Sequence, residues 1–182
     1  MNANALNPLR TSLTLAACCC AALLASTSGA SAQVWTGVAA ACVPDESSAG
    51  SYEMSAARFQ FAAGKTGTIY ARCNVTNPSD ASFLLDGWNY LEAAMIDPDG
   101  IGTGSQIKVS LIRVSNSTGG VYTVATLDSN TNASTAQRVD GADFSHVFNF
   151  ADYAYYVQLE VKRTATSANP NISIARLYEM LF

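Results

Sequence analysis

Apolar and polar side chains along this chain alternate every second residue far more often than every third or fourth, and a period of two marks half-buried β-strands. In AYYVQLEVKRT (154–164), Tyr155, Val157, Leu159 and Val161 alternate with Tyr156, Gln158, Glu160 and Lys162. GTIYARCNV (67–75) sets Ile69, Ala71, Cys73 and Val75 against Thr68, Tyr70, Arg72 and Asn74. Segments 34–42, 55–63, 106–115, 121–127, 143–150 and 171–182 read as further strands. Between them lie the turn-forming stretches VPDESSAG, NPSD, DPDGIGTG, NSTGG, DSNTN, VDGAD and SANP. WNYLEAAMI (88–96) suits a short helix or a strand equally, and the polar stretch 43–55 reads as a surface excursion.

About eight or nine short strands with such turns predict an all-β fold, an antiparallel two-sheet β-sandwich of jelly-roll or Greek-key type. The expected core is Phe59, Phe61, Ile69, Trp88, Ile107, Val109, Leu111, Phe148, Val157, Leu159 and Ile174. The cadence FSHVFNFADYAYYVQLEVKRT followed by ISIARLYEMLF resembles the closing strands of jelly-roll binding domains, a resemblance of pattern that rests on no specific motif. Phe182, preceded at two-residue steps by Met180 and Tyr178, also resembles the last strand of an eight-stranded outer-membrane β-barrel. Against that alternative, Ile112 and Val114 fall on the face opposite Ile107, Val109 and Leu111, and Arg113 interrupts the latter.

The first residues change where this domain is expected to work. A polar lead with the single charge Arg10 precedes the apolar run TSLTLAACCCAALLA, and Ala30-Ser31-Ala32 supplies small residues before a cut at Gln33. That is the layout of a secretory signal over 1–32, and the run is too short to span a bilayer. One domain, 33–182, remains, exported to the periplasm, the cell surface or the medium. A lipobox reading of Leu15-Ala16-Ala17-Cys18 fails because the apolar stretch before Cys18 is too short. Cys18, Cys19 and Cys20 leave with the signal, so Cys42 and Cys73 are expected to pair as a disulfide in an oxidising compartment.

Without Arg10 the chain carries 9 Lys and Arg against 14 Asp and Glu, a formal charge of −5. With no basic cluster among aromatics, nucleic acid is excluded as a partner, and no later run is apolar enough for a helical membrane span. No GxSxG, HExxH or P-loop occurs, and the lone histidine, His146, shares a face with Phe144, Phe148 and Phe150, as a core or edge residue does. The four Asn-x-Ser/Thr sequons, at Asn74, Asn116, Asn132 and Asn171, read as strand-end and loop composition, because the signal is of bacterial type.

Chemistry is therefore sought in aromatics and acids. Tyr156 shares a polar face with Gln158, and Tyr153 is expected in a loop; these three are the candidate ligand-binding residues, since a ring can stack on a sugar and an amide can bond its hydroxyls. Glu92 is the one acid flanked by apolar residues. In DPDGIGTG (97–104), Asp97, Asp99 and Gly102 match the first, third and sixth positions of an EF-hand loop, but Ile101 and Lys108 fall at the fifth and twelfth. What remains is calcium on Asp97, Asp99 and loop carbonyls, or a plain turn in which Pro98 presets φ, Asp97 accepts a backbone N–H and Gly100 takes positive φ. The turn is favoured.

These readings converge on a secreted, non-catalytic binding or adhesion module whose ligand is a glycan or a surface protein, and which needs no cofactor unless calcium is bound. The rivals are the outer-membrane barrel, a carboxylate-dependent glycan hydrolase drawing on Glu92 or Asp99, and a structural subunit of a surface assembly.

Overall fold

The computed structural model describes residues 34–77, 84, 85 and 87–180, so the expected signal over 1–32 and the terminal Phe182 lie outside the described residues. The strands are β1 (Trp35–Val38), β2 (Val43–Pro44), β3 (Tyr52–Ser55), β4 (Arg58–Phe61), β5 (Gly67–Val75), β6 (Leu84–Leu85) and β7 (Tyr90–Ile96). They continue with β8 (Ser105–Ser115), β9 (Val121–Asp128), β10 (Arg138–Asp143), β11 (Phe148–Asn149), β12 (Tyr153–Arg163) and β13 (Asn171–Tyr178). One sheet has the order β10-β7-β13-β4-β3, with β1 also on β13; the other has the order β2-β5-β12-β8-β9; β6 and β11 form a short separate ladder. All pairings are antiparallel. The chain is thus the expected two-sheet sandwich, and its sheets end in free edges instead of closing into a barrel.

Alternation decides the faces. Along β12, Tyr155, Val157, Leu159 and Val161 are buried, and their partners Val75, Cys73, Ala71 and Ile69 on β5 and Leu111, Val109 and Ile107 on β8 are buried with them. From the other sheet come Leu91, Ala93 and Met95 of β7, Ile172, Ala175 and Leu177 of β13, and Phe59 and Phe61 of β4. Trp88 closes one end, fully buried and edge-on to Phe148 at 5.0 Å between ring centres. Arg163 is buried at the end of β12, where its guanidinium donates to the carbonyls of Lys65 (2.5 Å), Ala168 (2.9 Å) and Ala62 (2.9 Å) and lies 4.6 Å from the Phe61 ring centre.

Several elements differ from the sequence reading. There are more strands than eight or nine because segments expected as single strands break: 55–63 is a hairpin whose turn sits at Ala56 and Ala57, with Ala56 at φ 55°. The excursion 43–55 contains β2, a 3-10 turn and β3. Residues 90–96 form a strand, because Leu91, Ala93 and Met95 alternate inward. VDGAD, expected as a turn, is most of edge strand β10, while of 143–150 only Asp143, the end of β10, and Phe148–Asn149 are strand. Ile174, expected in the core, faces outward because the register of β13 shifts between Ile172 and Ile174.

Cys42 and Cys73 are bonded, 4.5 Å apart at Cα. Cys42 does not end β1 but follows a 3-10 turn over Ala39–Ala41, so the bond ties the β1–β2 connection to β5.

Candidate functional site

The outer face of the five-stranded sheet carries the side chains that alternate with the core residues. On the central strand β12 these are Tyr156, Gln158 and Glu160, each partly exposed. Their cross-strand partners are Asn74, Arg72 and Tyr70 on β5 and Ile112, Ser110 and Lys108 on β8. Arg72 is held at both ends: its guanidinium pairs with Asp45 at 2.6 Å and lies 5.9 Å from the Tyr156 ring centre. Hydrogen bonds from Ser47 first, and the charge of Arg72 after them, hold the Asp45 carboxyl below its ordinary range. Ile112 points outward opposite Tyr156 yet is only 6% exposed, so neighbouring side chains bury it on the outer face. Tyr156 and Gln158 thus come together as expected, on a polar platform with two aromatic rings, Tyr156 and Tyr70, and an apolar bed at Ile112.

Tyr153 does not join them. It is the first residue of β12 and points to the opposite, inner side, where its ring lies 4.8 Å from the Arg113 guanidinium carbon and 6.4 Å from the Tyr155 ring centre. The loop expected at this position ends one residue earlier. Nearby, His146 Nε2 lies 3.0 Å from the Tyr155 hydroxyl, which also accepts the N–H of Asn149 at 3.0 Å. The hydroxyl proton is then free to be donated to a neutral His146. Burial, aided by the Arg113 charge, holds the His146 imidazolium form down, so its pKa lies below 6.5 in the folded chain.

A lowered folded pKa means that the unfolded chain takes up this proton more readily. The stability linked to His146 is therefore intact above 6.5 and falls as pH drops through 6.5 toward the lower folded value. Urea midpoints at pH 7.5, 6.5 and 5.5 should decline for the wild type and much less for His146→Gln. Parallel declines of both proteins would remove His146 as the cause. The depressed carboxyls of Asp45 and Asp99 act in a lower window, losing their contribution only as pH falls below 3.8.

The 97–105 connection is a hydrogen-bonded loop. Gly100 has φ +62°, and a Cβ there would stand 2.5 Å from the Ala133 carbonyl oxygen, so glycine is required both for the turn and for close contact with the 129–134 segment. The Asp97 carbonyl accepts the Gly100 N–H at 3.3 Å, closing the turn, while its fully buried carboxylate takes the hydroxyls of Ser105 (2.6 Å) and Ser129 and no backbone N–H. Asp99 accepts the N–H groups of Gly104 (2.7 Å) and Ser105 (3.1 Å) and contacts Ser105 Oγ at 2.5 Å. Burial pushes the Asp99 carboxyl up, but the hydrogen bonds with Ser105, Asp97 and the two backbone groups outweigh it and leave it below its ordinary value. Among the described residues no group of three or more His, Cys, Asp or Glu side chains gathers to hold a metal.

Glu92, the acid flanked by apolar residues, lies on the outer face of the other sheet, where it accepts the Tyr178 hydroxyl at 2.9 Å and meets Arg176 at 3.4 Å. Burial and then Glu92 push the Tyr178 hydroxyl up to about 12. Tyr90 lies 5.3 Å from Tyr178 between ring centres and packs over Gly141 of β10, where any side chain would collide with it.

No family profile matches this sequence, and no curated protein matches it. Solved structures similar in fold include the xylan-binding module CBM15, at 13% identity over 80% of this chain and 96% of that one, TM-score 0.46. Another is the carbohydrate-binding module CBM36 in complex with calcium and xylotriose, at 10% identity over 79% of this chain and 98% of that one, TM-score 0.40. A family two carbohydrate esterase from Cellvibrio japonicus matches at 12% identity over 81% of this chain, TM-score 0.38; this chain spans 34% of its length.

Proposed function

We propose that this chain is a non-catalytic glycan-binding module whose ligand lies across the outer face of the five-stranded sheet. The observation that carries the reading is the arrangement around Tyr156: a partly exposed ring on the central strand, bordered by Gln158, Arg72, Asn74 and Ser110. A ring of this kind stacks on the apolar face of a pyranose, and the amide, hydroxyl and guanidinium groups bond its hydroxyls. Affinity electrophoresis against arabinoxylan, mixed-linked β-glucan and galactan tests it. Tyr156→Ala should weaken binding to the retarding polysaccharide about thirtyfold, or about 2 kcal/mol, with an unchanged melting temperature. Retardation by none of the three, or full retention of binding in Tyr156→Ala, overturns the reading.

The non-catalytic reading is supported at Glu92, whose carboxylate is engaged by Tyr178 and Arg176; release of reducing sugar from any of the three polysaccharides overturns it. Export after cleavage at Ala32 belongs to the same proposal, supported by the Cys42–Cys73 bond, which persists in oxidising compartments. An exported protein whose N-terminus is not Gln33 contradicts that site.

Calcium at Asp97 and Asp99 is a separate proposal with one supporting observation. The Ser105 hydroxyl has a single proton yet lies 2.6 Å from an Asp97 oxygen and 2.5 Å from an Asp99 oxygen, a crowding of carboxyl groups that a cation relieves. Gly102 supplies a nearby carbonyl, which accepts from Asn130 at 2.8 Å. Calcium at a hundred times its Kd should raise stability by about 2.7 kcal/mol over chelator. A melting temperature indifferent to calcium and chelator leaves the plain turn.

A further inference from the structure

We propose that Arg113, set between Tyr122 and Tyr153 at the open end of the sandwich, binds the carboxylate of a uronic-acid residue in an acidic glycan. This site lies on the other side of the sheet from Tyr156, and the inference is independent of the outer-face reading. The backbone builds the site. On β9 the register shifts between the pairs Leu111↔Ala125 and Ile112↔Thr123, leaving Val124 as an extra residue. Unbroken alternation from Ala125 would turn Tyr122 outward; the bulge brings it to the inner side, directly across from Arg113. Tyr153 approaches from β12 on the opposite flank. The two ring centres lie 5.1 and 4.8 Å from the guanidinium carbon, so rings from both neighbouring strands hold the group in place.

What makes this a site is the unused edge of the guanidinium. Other arginines have protein acceptors: buried Arg163 has three carbonyls, half-buried Arg138 has Asp140 and two carbonyls, and even the exposed Arg72 has Asp45. Among the described residues no hydrogen-bond acceptor or carboxylate engages the N–H groups of Arg113, which is flanked by the two rings. A planar fork with both N–H positions open matches a carboxylate in bidentate fashion. Beside it runs a cleft of about 480 Å³ lined by Ser115, Asn116, Ser117, Ala151, Asp152 and Tyr153. The hydroxyls of Ser115 and Ser117, 3.2 Å apart, and the Asn116 amide, which donates to the Ala151 carbonyl at 3.0 Å, keep further hydrogen-bonding capacity for a sugar ring, and Tyr122, 50% exposed, offers a stacking surface beside the guanidinium. The one acid there, Asp152, has its carboxylate on the Asn149 amide at 2.8 Å. The lining is mainly polar, with Ala151 and the Tyr153 ring its apolar members, which favours a sugar over an apolar peptide side chain.

Titration calorimetry at physiological salt of the purified, disulfide-bonded protein with trigalacturonate, its methyl ester and poly-glutamate tests the assignment. A second readout is the proton NMR titration of His146, the only histidine in the chain, which senses the Arg113 charge. Trigalacturonate should bind, and its methyl ester should bind at least about tenfold more weakly. Arg113→Gln should lose a similar factor, Arg113→Lys should retain part of the affinity, and Tyr122→Ala, at an exposed position, should weaken binding several-fold without unfolding. On saturation the His146 pKa should rise, because the bound carboxylate offsets the arginine charge; a glycan on the outer face leaves it unmoved. Absence of binding, equal binding of acid and ester, or equal binding of poly-glutamate overturns the proposal. Trigalacturonate binding that neither moves His146 nor weakens in Arg113→Gln also overturns it, and leaves the outer-face reading standing.

Discussion

Reducing the Cys42–Cys73 bond, or replacing both residues by alanine, should lower the unfolding free energy by about 3–4 kcal/mol. The bond closes a loop between residues 31 apart, and in the chain-entropy account a loop of that length restricts the unfolded ensemble by that amount. The folded side also depends on it. The β1–β2 connection is flanked by short ladders, four residue pairs of β1 with β13 and two of β2 with β5, and is otherwise held by buried Ala39 and the Ala40 N–H on the Ala57 carbonyl at 3.3 Å. Both sulfur atoms belong to buried residues in the core cluster, so reduction leaves two small apolar thiols in place and the loss falls mainly on the cross-link. Urea unfolding with and without reductant measures it. A loss under about 1 kcal/mol would show that the unfolded chain is already restricted over these residues.

Arg163→Ala should cost a comparable amount, about 3 kcal/mol or more. The arginine is 3% exposed and gathers the carbonyls of Ala62, Lys65 and Ala168, which belong to the connections before β5 and after β12. Ala62 keeps the Lys65 N–H at 3.2 Å, so the partly buried carbonyls of Lys65 and Ala168 bear most of the loss; an acceptor left without a partner costs about 1–3 kcal/mol, moderated where water enters. The lost contact with Phe61 adds to this. Arg163→Lys should recover only part of the loss, since one ammonium cannot reproduce the planar fork that reaches three carbonyls. The check is the urea midpoint of both variants. A lysine variant as stable as wild type would mean that charge alone holds these connections.

How far the fold was readable depended on which signal each segment carried. Alternation placed β5, β8 and β12 with correct faces, because these central strands are half-buried along their whole length. It failed at β10, where Gly141 in VDGAD signals a turn; the glycine instead makes room for the Tyr90 ring across the strand. The pairing of Cys42 and Cys73 followed from counting the cysteines beyond residue 32, of which there are two. Tyr156 and Gln158 were legible because a platform on one strand is a period-two pattern. Tyr153 was misplaced because strand starts carry no such pattern. Arg113 did leave a trace, as the charge interrupting the face of Ile107, Val109 and Leu111; its partner Tyr122 depends on a bulge at Val124, and no residue type announces a register shift.

The central claim concerns the face on which a glycan sits, and amide chemical-shift mapping tests it directly. On titration with the polysaccharide fragment that retards the protein most, perturbations should cluster on Tyr156, Gln158, Arg72, Asn74 and Ser110, which share the outer face of β5, β12 and β8. Perturbations confined to Tyr90, Glu92 and Tyr178 on the opposite sheet, or none on either face, would contradict the account.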